Sequence, residues 1–422
     1  MADRQVDVAV IGGGPGGCTF AILAAQAGLN VVVLERESFP RHMIGESLLP
    51  NNTPLFKRLG LFDAIESGGY QKKPGAVFTH EPTEYSRKIR FRDAYQCQAP
   101  YAYQVERASF DRMFIDRARE VGATVIQPAQ VVDVLGDVNE VRGVCYRDGE
   151  GTHKINARFT VDASGRSICL AKKLSRIDRD PVLNQSCAYA YFDKFQFSPI
   201  AENGDIEILQ TEDAWVWLIP LSQELVSVGA VWTKEHIKQQ KSDLPSMYRD
   251  LVKRSTVLAS RLQDANQVGE IRSVADYSYK IDPAWGKGWL CIGDAAVFVD
   301  PVFSSGVMLS TLSAERAFDL TVDQLKSGKV PTLDRLRRYQ NWISRGLQRF
   351  KFYIYGYYTP GFQKVFYSDP PLRAFRRAVA SNLAGNVFDP SLATRFWTSL
   401  FWFNVRRENR KLGYKSSFAG LS

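Results

Sequence analysis

A glycine-rich turn between two β-branched runs constrains this chain more than any other feature. Val6 to Ile11 alternates little and is rich in β-branched residues, as a buried parallel strand is. Glycines follow at 12, 13, 14, 16 and 17, with Pro15 among them. Cys18 to Ala27 reads as a helix stopped by Gly28, and Asn30 to Leu34 as a second strand running into Glu35 and Arg36. The spacing Gly12-x-Gly14-x-x-Gly17 between strand and helix is the strand–helix–strand solution for holding a dinucleotide. Gly12 permits the tight turn, Gly14 lets the backbone approach a pyrophosphate, and Gly17 lets helix and strand pack closely. The helix N-terminus, near Pro15, offers free N–H groups to the phosphates, and Glu35 accepts hydrogen bonds from a ribose diol. The expected fold class is therefore α/β, with a Rossmann-type domain at its start.

The rest of the chain extends that domain and adds others. Gln104 to Val121 reads as a helix, and 123–126 and 159–161 as strands. Cys187 to Val231 changes to short alternating strands rich in Tyr, Phe and Trp, which predict an antiparallel sheet walling a site. Gly288 to Ile292 returns as a strand, and Gly306 to Leu325 reads as a long helix. Arg335 to Val365 is helical and strongly aromatic, broken at Pro360, with further short helices expected after it. The expected division is a dinucleotide-binding domain over 1–330, interleaved with a β-sheet substrate domain at about 76–100 and 187–268, and a helical C-terminal region over 331–422.

Composition removes several function classes. Six scattered cysteines with no CxxC pair, and four histidines without ligand spacing, give no metal site and read as reduced thiols of a cytoplasmic protein. No apolar run of about 18 residues predicts a membrane span, and the polar start from Met1 to Gln5 does not resemble a signal peptide. The net charge is +9, and from Pro371 onward nine Lys or Arg stand against two acids. Such a patch attracts an acidic partner or merely solvates a tail; nothing besides charge supports nucleic acid, so no nucleic-acid partner is expected. No feature reads out an oligomeric state, and a homodimer is the default guess.

A second motif separates the candidate dinucleotides. Trp289 to Ala296 reads as a strand ending in Gly293-Asp294, and an aspartate there binds a ribityl hydroxyl, a group that flavins have and nicotinamide cofactors lack. The same aspartate also suits a helix N-cap. With Asp162-Ala-Ser-Gly-Arg166 and Gln104-x-x-Arg107-x-x-Phe110-Asp111, the chain resembles the FAD-dependent aromatic-hydroxylase superfamily, whose arginine at the Arg107 position contacts the cofactor.

A third set narrows the resemblance. Trp215-Val-Trp217-Leu-Ile-Pro220 matches a signature of flavin-dependent halogenases, and Gly45-Glu46-Ser47-Leu-Leu-Pro50 and Lys73-Pro-Gly-Ala76 resemble the same family. On a strand, Trp215 and Trp217 share one face, where two indoles would separate flavin from substrate; by itself, such a pair is ordinary core. The resemblance assigns Ser47 to the cofactor and the essential amine to Lys73, although the neighbouring Lys72 is distinguished only by the Lys-x-Gly pattern. Asp300-Pro-Val-Phe303-Ser304-Ser305-Gly306 opens the long helix, so that Gly306 and Val307 face the flavin's pyrimidine edge and the N–H groups around Ser304, Ser305 and Gly306 form a nest for chloride or bromide. Phe303 replaces a glutamate of the tryptophan halogenases. Free tryptophan is therefore not the expected substrate, and the general base is unassigned. This Phe-Ser-Ser-Gly variant is closest in character to the halogenases of pyrrolyl carrier proteins.

The resemblance implies a two-component enzyme. FADH2 arrives from a separate flavin reductase, O2 and a halide yield hypohalous acid, and Lys73 delivers it to an electron-rich aromatic substrate, a pyrrole on an acidic acyl or peptidyl carrier protein. The alternatives on the same scaffold are a hydroxylating monooxygenase or a prenyl reductase. A flavoprotein that binds a partner without turnover is a third.

Overall fold

The computed structural model describes residues 4–180, 182–275, 278–368 and 373–415, so 369–372 and 416–422 of the expected C-terminal region lie outside the described residues. Arg4–Ile11 lies at the centre of a sheet, between Val31–Leu34 and Gly151–Asp162, both parallel to it. Thr124–Ile126 and Trp289–Cys291 extend the parallel set on either side. The inner strands are buried on both faces, which is why they are runs of Val and Ile rather than alternating. Their carboxyl ends (Ile11, Leu34, Asp162 and Cys291) converge on one edge, where α/β folds bind ligands. Pro15–Gln26 leaves this edge as a helix and packs against Arg107–Glu120 and Gly306–Lys326.

The helix expected from Gln104 begins at Arg107 instead. Gln104 ends the short strand Ala102–Gln104, which pairs with Gln71–Lys73, and its buried amide donates to the Gly204 carbonyl at 3.1 Å. That long-range partner outweighs local helix propensity.

A second sheet of seven strands runs in the order Gln267–Ala275, Gln185–Phe192, Val226–Thr233, Trp215–Pro220, Ile206–Gln210, Gly75–His80 and Tyr85–Arg90. The expectation of an antiparallel sheet fails at one pair, because Ile206–Gln210 runs parallel to Gly75–His80. The two segments are separated by more than a hundred residues, so no hairpin forces them antiparallel. Period two sorts the central strand. Trp215, Trp217 and Ile219 pack toward the first domain, whereas Val216 and Leu218 meet Tyr248, Leu251 and Leu258 of the helices Leu244–Arg254 and Thr256–Arg261. All six residues of Trp215–Pro220 are buried.

The C-terminal region contains Leu333–Tyr357, Pro360–Phe366, Arg373–Leu383 and Leu392–Lys411. The last is not one of the short helices expected, but a 20-residue helix. Ser391 Oγ caps its start, accepting the Thr394 N–H at 3.1 Å, and Phe401, Trp402 and Val405 bury one face. Most rings of the aromatic helix serve as core: Tyr339 is 1% exposed and donates to the Cys291 carbonyl at 2.9 Å, tying the helix to the first sheet. No described helix is long and apolar enough to cross a membrane.

Candidate active site

A cavity of about 840 Å3 opens at the carboxyl ends of the parallel strands, and the Trp215/Trp217 face of the second sheet forms its far wall. Gly12, Gly14, Pro15, Glu35 and Arg36 line one end. Gly12 turns with φ +100°, a conformation costly for any other residue, and its N–H donates to Leu34 at 2.8 Å. The Glu35 carboxylate accepts the N–H groups of Gly13 at 2.7 Å and Glu37 at 2.9 Å, which fixes it at the cavity wall. Two glycines of the turn differ in a telling way. A Cβ on Gly17 would lie 2.0 Å from the Gly12 carbonyl oxygen, so Gly17 is required by helix–strand packing and does not line the cavity. A Cβ on Gly14 would meet nothing nearer than Arg41 Nη2 at 3.6 Å and would project into the cavity. Bare backbone at a helix N-terminus, beside open space, fits a pyrophosphate.

Asp294 and Arg107 also line the cavity. Burial pushes the Asp294 carboxyl up to about 6, against the pull of Arg166 and Arg107. A carboxyl so poised serves polyol hydroxyls as acceptor or donor. Arg107 is buried, and its Nε and Nη2 grip Asp111 at 2.7 and 2.9 Å. Its Nη1 donates to the Ile44 and Gly45 carbonyls, so it also holds in place the segment that carries Ser47. Bare backbone N–H groups at one end and a polyol-binding carboxyl further along this wall make a donor set that fits FAD.

A turn at the start of the Gly306–Lys326 helix also lines the cavity. Ser304 has φ +57°, Ser305 has φ −86° and ψ −12°, and Gly306 begins the long helix. Consecutive left- and right-handed residues turn their N–H groups into one concavity. The first intrahelical bond runs from Leu309 to Ser305 at 2.8 Å, so the N–H groups of Gly306, Val307 and Met308 precede the helical ladder. Ser304, Ser305, Gly306 and Val307 all line the cavity. Phe303 does not; its ring packs edge-on against Tyr353 and Tyr357, at 6.3 and 6.0 Å.

The two tryptophans are not isolated rings. Trp215 Nε1 donates to Tyr358 Oη at 2.8 Å, and Tyr358 Oη donates to Asp300 at 2.8 Å. Asp300 also accepts the Val302 N–H, and burial pushes its carboxyl up to about 6. Trp217 Nε1 donates to Ser227 Oγ at 3.3 Å. Beside this strand, Tyr191 donates to Glu46 at 2.7 Å, and burial raises the Glu46 carboxyl to about 7. Sequence reasoning quoted Asp300 and Glu46 within motifs but gave them no role; it placed Tyr358 at the end of an aromatic helix that could line the pocket or pack as core, without this partner, and it missed Tyr191. No local signal marks either tyrosine, since each meets its carboxylate across more than fifty residues. Replacing Tyr358 by Phe is expected to cost roughly 1–3 kcal/mol of stability, measured by denaturant unfolding, because it strands the buried Trp215 N–H and Asp300 carboxyl.

Lys73 is 1% exposed. Its Nζ donates to Ser47 Oγ at 2.8 Å and to the Leu48 carbonyl at 3.0 Å, and sits 5.3 Å from the centre of the Phe91 ring. Ser47 lines the cavity and Lys73 does not, so the amine stands one side chain behind the wall. Burial lowers its pKa to about 7, opposed by Asp205. Lys72 points to the other face of the strand, where it is exposed and bound to Tyr101 and Glu66, partners that hold it charged. Among the described residues, no group of three His, Cys, Asp or Glu is placed to hold a metal ion.

Residues 5–320 match the family model of the FAD binding domain. The chain is 31% identical over 413 residues to a 1H-pyrrole-2-carbonyl-peptidyl-carrier-protein chlorinase of Pseudomonas fluorescens, covering 92% of this chain and 91% of that one. It is 31% identical over 352 residues to the corresponding brominase of Pseudoalteromonas luteoviolacea, covering 82% and 84%. It superposes on the solved structure of a myxobacterial chondrochloren halogenase with a TM-score of 0.80 at 32% identity, over 99% of each chain.

Proposed function

Since the chain belongs to the flavin-dependent halogenases built on the FAD binding domain, we propose that it halogenates a pyrrole held as a thioester on a peptidyl carrier protein, with reduced FAD delivered by a separate reductase. The observation that carries this reading is the buried Lys73 amine, poised at a pKa of about 7 behind Ser47, in a chain whose relatives act on that substrate.

Gly12, Gly14, Pro15 and the following helix end would hold the pyrophosphate, Glu35 and Arg36 the adenosine side, and Asp294, Arg107 and Ser47 the ribityl and ring side of the cofactor. Bound there, reduced FAD would supply the two electrons and two protons with which O2, a halide and one further proton become hypohalous acid and water. The turn at Ser304, Ser305 and Gly306 would position the halide, with Val307 on the same helix end. Trp215 and Trp217, which both line the cavity, would stand between flavin and substrate, so the ring is kept from the oxidant's source. The neutral Lys73 amine takes the halogen: an N–X bond forms, the O–X bond breaks, and water leaves with one amine proton. The pyrrole then attacks the halogen, a C–X bond forms as N–X breaks, and the ring proton restores the amine. Confinement next to the small oxidant supplies the regioselectivity.

The test is a product mass spectrum, with FAD, a flavin reductase, NADH, O2, and chloride or bromide offered separately. A halogen isotope pattern on the carrier-bound pyrrole is expected. Halogen found only on free phenols discards the carrier-bound substrate. Gain of one oxygen without halogen makes the site that of a hydroxylase.

A further inference from the structure

Away from the cofactor cavity lies a second concavity of about 660 Å3, between Tyr85–Arg90 and the helices Pro360–Phe366, Arg373–Leu383 and Leu392–Lys411. Nine lysines and arginines line it against two acids, Asp93 and Glu408. Glu408 is already engaged by Lys364 and Lys411, at 3.0 and 2.8 Å. Arg373 and Arg376 are exposed in the first turns of their helix. Cations there oppose the helix dipole, so their placement does not serve the helix and suits an external anion.

A second feature borders this groove. Leu392, Phe396 and Phe403 are 80%, 62% and 56% exposed. Their spacings of four and seven residues put them within about 40° on one face of the Leu392–Lys411 helix. Phe403 is one turn from Arg407 of the groove, so the apolar stripe and the cationic surface adjoin. The groove also lies over the reacting lysine's wall. Asp93 ends the turn Phe91–Asp93, against which the Arg373–Leu383 helix packs, and on the inner side of that turn the Phe91 ring covers Lys73 Nζ.

An apolar stripe beside clustered cations matches an acidic protein with an apolar helix face, and the exposed guanidinium groups of Arg373 and Arg376 suit an anionic arm. We infer that the Arg373–Leu383 and Leu392–Lys411 helices form the docking surface for an acidic carrier protein, with the phosphodiester of its phosphopantetheine arm seated on Arg373 and Arg376. The inference rests on the carrier-bound substrate proposed above.

The test uses the full-length, FAD-loaded protein and the pyrrole-loaded carrier protein on which the Pseudomonas fluorescens relative acts. Two double variants, R373E/R376E and F396S/F403S, are compared with wild type. Each is expected to raise KM for the loaded carrier about tenfold or more, the first with a weaker salt dependence. The rate with a carrier-free pyrrole-2-carbonyl pantetheine thioester, and the release of hypohalous acid to a generic trap, should not change. Wild type that halogenates the carrier while both variants keep its KM overturns the docking surface and leaves the substrate reading standing. Wild type that ignores the loaded carrier but halogenates a free arene overturns the substrate reading, and this inference with it. A wild-type dimer in light scattering that F396S/F403S dissociates, with KM unmoved, makes the stripe a contact between two copies of this chain and also overturns it.

Discussion

Lys73→Met is expected to abolish halogenation while making the protein more stable at acidic and neutral pH. Lys73 is fully buried, and its pKa falls from 10.5 to about 7 because burial penalises the ammonium. The folded-state value lies below the unfolded one, so between pH 7 and 10.5 the unfolded chain holds more proton and stability rises with pH. Below pH 7 the full penalty is present; above 10.5 it vanishes. At about 1.4 kcal/mol per pKa unit the gross penalty is roughly 5 kcal/mol. Removing the Nζ also costs about 1–3 kcal/mol, because it leaves Ser47 Oγ and the Leu48 carbonyl short of a donor. A net gain of about 2–4 kcal/mol is expected near pH 6, read as a higher denaturant midpoint, and it should fade toward pH 10 and there turn into a small loss. Halogenated product should fall by about a thousandfold or more, with flavin binding intact. The wild-type rate, followed against pH, should rise through about 7 as the amine is freed. A rate that falls across that range would assign the ammonium, as a hydrogen-bond donor to hypohalous acid, in place of the amine.

Gly14→Val is expected to leave a folded protein that does not retain FAD. A Cβ at Gly14 meets no protein atom nearer than 3.6 Å, and the residue's φ of −71° suits any side chain. The fold therefore accepts a larger residue, and the branched side chain occupies the space left for the pyrophosphate. A loss of about a hundredfold or more in flavin affinity, roughly 2.7 kcal/mol, is expected by titration of flavin fluorescence, with the unfolding midpoint of the flavin-free protein nearly unchanged. Gly17→Ala supplies the contrast. Its Cβ would lie 2.0 Å from the Gly12 carbonyl oxygen, so strand and helix must separate, and stability should fall by several kcal/mol with or without flavin. If both variants lost flavin and stability together, Gly14 would be a packing glycine rather than a ligand-facing one.

The two substitutions also show where sequence reading stops. The strand–turn–helix–strand unit lies within some thirty residues, so covalent spacing alone aligns Gly12, Gly14, Gly17 and Glu35. The shared face of Trp215 and Trp217 likewise follows from the two-residue period of a strand. The Lys-x-Gly pattern points to Lys73 over Lys72, and strand alternation gives the two lysines opposite surroundings. For these features, local chain geometry is the whole cause, and the amino-acid order determines them.

Other properties depend on what segments far apart in the chain bring to the same place. Nothing near Lys73 in sequence reveals a pKa of about 7; that value comes from the shell of Ser47, Leu48 and Phe91 that excludes water from it. Nothing near Trp215 reveals that its N–H is answered by Tyr358, from the end of the aromatic helix, and through it by Asp300. The parallel pairing of Ile206–Gln210 with Gly75–His80, and the meeting of the Arg373 cations with the Phe396 stripe, are of the same kind. The sequence by itself determined the glycine-rich strand–turn–helix unit, the shared tryptophan face and the opposite surroundings of Lys72 and Lys73, because short-range geometry is written in residue spacing. Tertiary structure alone decided the desolvation of Lys73, the hydrogen-bonded setting of the tryptophans and the meeting of the Arg373 cations with the Phe396 stripe, because desolvation and long-range pairing exist only once the chain has closed on itself.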